Sequence, residues 1–173
     1  MHMINLPPLV LFNQYPSYEE YIEAIYSYFR NDFLNNKVLY LNKPIICYPD
    51  PKESGKEASF WHLITKDTNN HGRPIDFRRS ERIRWPKPII SGCQDESIKI
   101  WEEIKKNKKG KNQTRVHFCF GDWEYLVVLT KRLNHWVFCT AYPIFDNENW
   151  EIRYKQKLQK RYTDCIEKQT PPF

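Results

Sequence analysis

Between Arg115 and Pro143 the chain reads RVHFCFGDWEYLVVLTKRLNHWVFCTAYP, three short apolar runs broken at Gly121-Asp122 and at Leu133-Asn134. In the first run Val116, Phe118 and Phe120 alternate with His117 and Cys119, which is the two-residue period of a strand with two different faces. The second run, Tyr125 to Leu129, is apolar throughout, as a central strand covered on both sides would be. The third carries Trp136, Val137 and Phe138, then Thr140-Ala141-Tyr142, and stops at Pro143. Aromatic and β-branched side chains fit a pleated surface, and both breaks are of hairpin length. The pattern therefore predicts an antiparallel meander.

Elsewhere the period lengthens. Tyr18, Tyr21, Ile22, Ile25, Tyr28, Phe29 and Phe33 recur at helical spacing behind Ser17, with Glu20 three residues on, which predicts a capped amphipathic helix ending near Asn35-Asn36. ESIKIWEEIKK, residues 96–106, predicts a second amphipathic helix. Asn149 to Lys168 predicts a basic helical tail ended by Pro171-Pro172-Phe173. Residues 1–16 read as an extended arm, Val38 to Tyr48 as a strand pair or bent strand interrupted at Lys43-Pro44, and residues 68–77 as a turn-rich linker. Trp85-Pro86-Lys87-Pro88 is expected to end a helix that starts near Arg78. Together these elements predict an α+β fold: N-terminal helices, an antiparallel β-meander of about four strands, and a C-terminal helix. Residues 1–57 form an N-terminal arm, helix and strand extension, and residues 58–173 the core of one compact domain.

Composition adds a partner class. The chain has 173 residues, 40% apolar and 16% aromatic, enough for a core with aromatic side chains to spare for a groove or a partner. Its formal charge of +6 is uneven: residues 1–36 hold one arginine against four carboxylates, a net of −3, which leaves +9 for the rest. A basic, aromatic-rich body suits a polyanion, although a solvated lysine-rich surface has the same composition. Five widely spaced cysteines without a C-x-x-C argue against a disulfide scaffold or structural zinc and for reduced thiols in the cytoplasm. No apolar run reaches the length of a membrane span, and Pro7-Pro8 breaks the N-terminal apolar stretch, which has no basic leader.

Among the five histidines, His2 is terminal, His71 lies in a turn, and His117 and His135 belong to strands; His62 alone sits between Trp61 and Leu63 in an apolar segment. Its residue type suits proton exchange near neutral pH, and equally a hydrogen-bonded core histidine. Arg78, Arg79, Arg82, Arg84 and Lys87 fall within ten residues, with Trp85 among them, and can form a cationic face or a set of ion pairs. Lys108, Lys109 and Lys111 make an exposed basic loop, a further contact surface for nucleic acid. Thr140 and Tyr142 share one strand face. Asp122-Trp123-Glu124 lacks the lysine two residues on that a metal-dependent nuclease would require, Leu126 standing there, and no phosphate-binding glycine loop occurs. No metal or other cofactor is expected.

FWHLIT at 60–65, ERIRWPKPII at 81–90, YLVVLTKR at 125–132 and FCTAYPI at 138–144, in this order, resemble the phage-associated barnase/EndoU/colicin/RelE-like nucleases. The resemblance covers roughly residues 58–162. It implies a small metal-independent endoribonuclease, of toxin type, that cleaves RNA through its own 2′-hydroxyl to leave a 2′,3′-cyclic phosphate. Carried over position by position, it implies His62, Arg79, Arg82, Lys131, Thr140 and Tyr142 as catalytic residues. The expected nucleic-acid contacts are Arg78, Arg84, Trp85, Lys87, Lys108, Lys109 and Lys111. The implied partners are an RNA of tRNA or mRNA type and a cognate antitoxin or immunity protein. Two other readings stay open: a non-catalytic nucleic-acid-binding module, and a protein-interaction domain of antitoxin or anti-defence type.

Overall fold

Ser17 opens the first helix with an extended backbone and a hydroxyl that accepts from the Glu20 N–H at 3.2 Å. The computed structural model describes residues 4–68 and 72–169, so His2, His71 and the expected stop at Pro171-Pro172-Phe173 lie outside the described residues. Helix α1 (Tyr18–Phe29) buries Tyr21, Ile22, Ile25 and Phe29, and a single π turn over Arg30–Leu34 carries Phe33 into the same core. The cap satisfies one of the helix's free amide donors. Ser17→Ala is expected to lower stability by about 1 kcal/mol, read as a lower denaturant midpoint at unchanged slope.

The strands are β1 (Leu39–Tyr40), β2 (Lys43–Ile46), β3 (Ile98–Lys106), β4 (Asn112–Phe120), β5 (Tyr125–Lys131) and β6 (Trp136–Pro143). They form one sheet in the order β1-β2-β6-β5-β4-β3. This corrects the expected four-stranded antiparallel meander: the sheet has six strands and is mixed, because β2 joins β6 in parallel through Ile45↔Trp136 and Ile46↔Val137. The β1–β2 hairpin turns at Leu41-Asn42, both with positive φ (47° and 61°), a conformation usually signalled by glycine or Asn-Gly. Tyr40 then packs edge-on against Phe118 at 4.8 Å, and its carbonyl accepts from Trp136 Nε1 at 3.0 Å.

Two further expectations are corrected. Residues 98–106 are strand β3, not a helix, paired with β4 from Ile98↔Phe120 to Lys106↔Asn112. The segment carries both periods, and the open edge of β4, with its unpaired backbone groups, selects the extended one. Pro86 does not end a helix but begins one: α4 (Pro86–Ser91) has the proline in its first turn, where no amide donor is required. Short helices α2 (Ala58–Ile64) and α3 (Phe77–Ser80) precede it, and α5 (Asn149–Gln169) follows the sheet.

The sheet separates two cores. On one face Val116, Phe118, Tyr125, Val127, Leu129, Trp136 and Phe138 pack with α1, α2 and α4 residues such as Ile25, Phe60 and Ile89. On the other, Trp101, Cys119, Leu126 and Val128 are covered by Leu158, Tyr154 and Tyr162 of α5. Among the described residues no helix is long and apolar enough to cross a membrane.

Candidate functional site

Strand β2 is short, so it covers β6 only at Trp136 and Val137. Beyond them α2 and α3, not another strand, pack along β6. Here β6 carries a bulge: Val128 faces Thr140 and Leu129 faces Phe138, which leaves Cys139 without a partner across β5. Bulges bend a strand and re-aim its side chains. Next to it lies a cavity of about 690 Å³ lined by Ser59, Trp61 and His62 of α2, Arg73, Lys108, Arg115 of β4, Thr130 of β5, Arg132 and Cys139. Asp50 and Glu53 also line it, so four permanent cations face two carboxylates. The wall formed by Arg115 and Thr130, cross-strand partners, belongs to the same sheet face as His117, Val128 and Thr140.

A small hub at the end of α2 positions the imidazole. Thr65, the C-cap, donates its hydroxyl to Trp61 O at 2.6 Å, and its carbonyl accepts from Arg79 Nη1 at 3.1 Å. Beyond it the described residues pair with each other at Thr65↔Ile75 and Thr68↔Gly72. That pairing brings Arg73 over α2, where Nε donates to Thr65 Oγ1 at 3.1 Å and Nη2 lies 3.1 Å from His62 Nδ1. His62 stays solvent-accessible, but desolvation by the groups crowding its ring, followed by the charges of Arg73 and Arg79, pushes its pKa below the ordinary imidazole value; Asp67 opposes this. The ring is therefore neutral at pH 7.

The remaining expected site residues divide into groups. Arg79 lies 5.1 Å over the Tyr142 ring and 3.8 Å from Asp76, so Arg79 and Tyr142 meet, and hydrogen bonds link Arg79 to His62 through Thr65 and then Arg73. They border a second cavity of about 320 Å³ together with Lys66, Phe145, Trp150 and Tyr154. Burial raises the Tyr142 phenol, and its hydroxyl is hydrogen-bonded to that of Tyr154. Thr140 is on the same sheet face as Tyr142 but is not among the described residues lining the larger cavity, where Thr130 stands. Lys131 is exposed at the end of β5, opposite Trp136 and so on the other side of the sheet from Thr130.

Most of the arginine cluster is engaged in packing. Arg78 donates twice to Glu151 Oε1, at 3.0 and 3.1 Å, and lies 3.4 Å over Phe145, which fastens α3 to the start of α5. Arg82 donates to Arg78 O at 2.8 Å and lies 5.1 Å over Trp85. Trp85 donates to Pro7 O at 2.9 Å and packs edge-on against Tyr125, a core role. Arg84 covers Tyr28 at 4.6 Å, and Lys87 faces Asp32 at 3.7 Å. In the β3–β4 turn Lys108 reaches the cavity, while Lys109 and Lys111 are exposed and bind Asn107 Oδ1 through their backbone amides.

Arg73, Arg115, Thr130 and Arg132 were not singled out from the sequence. Extending the period of β4 upstream from His117 to Arg115 and Gln113 would have found one wall of the cavity. No local signal marks Arg73, which a loop closure brings home. His117, in contrast to His62, is buried at 2% exposure and stacked on Trp101 at 4.8 Å, so it faces no substrate. Among the described residues no group of three or more His, Cys, Asp and Glu is arranged to hold a metal ion. Comparison of the chain with protein-family models, curated proteins and solved structures finds no match.

Proposed function

We propose that this chain is an endoribonuclease whose centre is His62 in the β6-edge cavity. The observation that supports this reading is the placement of a neutral, solvent-accessible imidazole beside Arg73 in a cavity also lined by Arg115, Arg132 and Lys108. A neutral imidazole can take the proton of an RNA 2′-hydroxyl. O2′ then bonds to phosphorus, the P–O5′ bond breaks, and the imidazolium returns the proton to the departing O5′. The products are a 2′,3′-cyclic phosphate and a free 5′-hydroxyl. Arg73, Arg115 and Arg132 would bind the phosphoryl oxygens as charge builds on them, with the Thr130 hydroxyl as a further donor. Tyr48, 51% exposed, and Trp61 on the same wall offer faces for unpaired bases. Arg79 and Tyr142 lie beyond Thr65, and the second cavity, where Lys66 sits 4.8 Å over the exposed Trp150, extends the path for a bound strand. A tRNA or mRNA substrate and a neutralising protein partner belong to the same proposal, since unrestrained RNA cleavage harms the cell that makes the enzyme.

End-labelled RNA incubated with the protein in EDTA tests the reading: cyclic-phosphate ends support it, and RNA left intact both in EDTA and in added divalent metal overturns it. Binding carries its own expectation. RNA affinity falls with salt, and because each phosphate contact to a single strand contributes about 0.7 to the logarithmic slope, the double variant Arg115→Gln/Arg132→Gln flattens that slope by about 1.4. Filter binding from 50 to 200 mM salt, roughly the range over which such contacts are resolved, measures it.

A further inference from the structure

A guanidinium has only donors, so the 3.1 Å contact between Arg73 Nη2 and His62 Nδ1 admits one arrangement: Nδ1 accepts, and the neutral ring carries its hydrogen on Nε2. The only lone pair of the imidazole is then occupied, and the ring has no free base to offer. Arg73 is lightly held. Its side chain is 39% exposed, its carboxylate neighbour Asp67 is 3.7 Å away and 77% exposed, and its other partner is the Thr65 hydroxyl. A phosphate oxygen competes well for such a group, because a charge-assisted, two-pronged guanidinium–phosphate contact outweighs one hydrogen bond to a neutral ring.

We propose that Arg73 is a positioning residue that caps His62 Nδ1 in the free protein and is drawn off by the phosphate of the bound polyanion, so that substrate itself uncovers the base. This rests on the ribonuclease reading and deepens it. The exchange has two effects in the same direction. It frees the lone pair, and it moves the nearest positive charge from the ring onto the phosphate, so the imidazole becomes more basic when the 2′-hydroxyl is in place. The other charged groups around the ring are Arg79 and Asp67, with Asp50, Glu53, Lys108, Arg115 and Arg132 along the cavity wall. Among the described residues only Arg73 hydrogen-bonds a ring nitrogen of His62.

The test reads the ring directly. In ¹⁵N-labelled protein, with His62 assigned by its loss in His62→Gln, long-range ¹H–¹⁵N spectra report tautomer and titration without any need for turnover. Free wild type is expected to show the Nε2–H form. Arg73→Gln is expected to lose that bias and to raise the His62 midpoint by about half a pH unit or more, and Arg73→Lys, also a donor-only cation, to restore part of the Coulombic effect. A 2′-O-methylated oligoribonucleotide, which has phosphates but no nucleophile, is expected to shift the wild-type ring as Arg73→Gln does. A ring unchanged in Arg73→Gln overturns the contact, whatever RNA does. An oligonucleotide that binds and leaves the ring unmoved overturns the exchange alone. One that fails to bind overturns the ribonuclease reading and the exchange with it, while a tautomer shift in Arg73→Gln would still uphold the cap.

Discussion

His62→Gln is expected to reduce RNA cleavage by about 10²- to 10⁴-fold, the range for loss of a general acid–base group, with stability changed by no more than about 0.5 kcal/mol. The small stability effect follows from exposure: His62 lies on the cavity side of α2, whereas Phe60, Leu63 and Ile64 make its core face. Cleavage in EDTA and a denaturant midpoint, measured on the same preparation, separate a chemical loss from a folding loss. The direction of the pH dependence is also set. The base form of an imidazole is the neutral one, and the His62 pKa is lowered by desolvation and by Arg73 and Arg79. kcat/KM on RNA should therefore rise with pH through a midpoint below the ordinary imidazole value and level off at neutral pH. A profile that falls with pH through that range would give His62 the role of an acid, not a base.

Glu103→Ala is expected to lower stability by about 3 kcal/mol, because it leaves part-buried Arg161 without its counter-ion. Glu103, on β3, ties α5 to the sheet: its carboxylate accepts from Arg161 Nε at 2.7 Å and again from Arg161 Nη2, and from Trp101 Nε1 at 2.9 Å. Burial alone would raise the Glu103 carboxyl, but these hydrogen bonds and the facing cations outweigh it and hold it well below the usual range. Desolvation pushes the facing imidazole of His117 down, with Arg161 and Lys105 adding to the effect and Glu103 opposing it, so the ion pair is Glu103 with Arg161 and His117 is neutral. A depressed carboxyl stabilises the fold above its unfolded pKa and loses that contribution as pH falls through the folded value. The wild-type protein should therefore weaken at strongly acidic pH by a component that Glu103→Ala lacks. His117 acts in the same direction at milder acidity, since the unfolded chain takes up its proton first. Urea midpoints of the two proteins from neutral to acid pH measure both, and Glu103→Gln, which keeps the acceptor oxygen, should lose less than Glu103→Ala.

The candidate site was partly legible in the residues themselves. His62 stands out as a single imidazole in an apolar turn of helix, and Lys108 as part of a basic loop. Of the two readings of the arginine-rich segment, a cationic face or a set of ion pairs, the residues alone could not choose; in the fold Arg78 finds Glu151, 73 positions away, and Phe145 beside it. Composition counts charges but says nothing of which carboxylate or ring each charge will meet.

What the sequence alone determined is whatever has a short period or a short reach. Ser17 and Glu20 define a helix start within one turn; Val116, Phe118 and Phe120 face one core while His117 and Cys119 face the other; Tyr125 to Leu129 is buried on both sides. The tertiary structure decided the rest. It drew residues 98–106 into a strand because β4 offered an unpaired edge, laid β2 parallel to β6 across some ninety intervening positions, and let Pro86 start a helix. It also folded Arg73 back onto His62 and set Arg115 and Thr130 across from them. Each of these depends on backbone groups and charges that find partners far along the chain, and a contact of that kind leaves no period in the residues that make it.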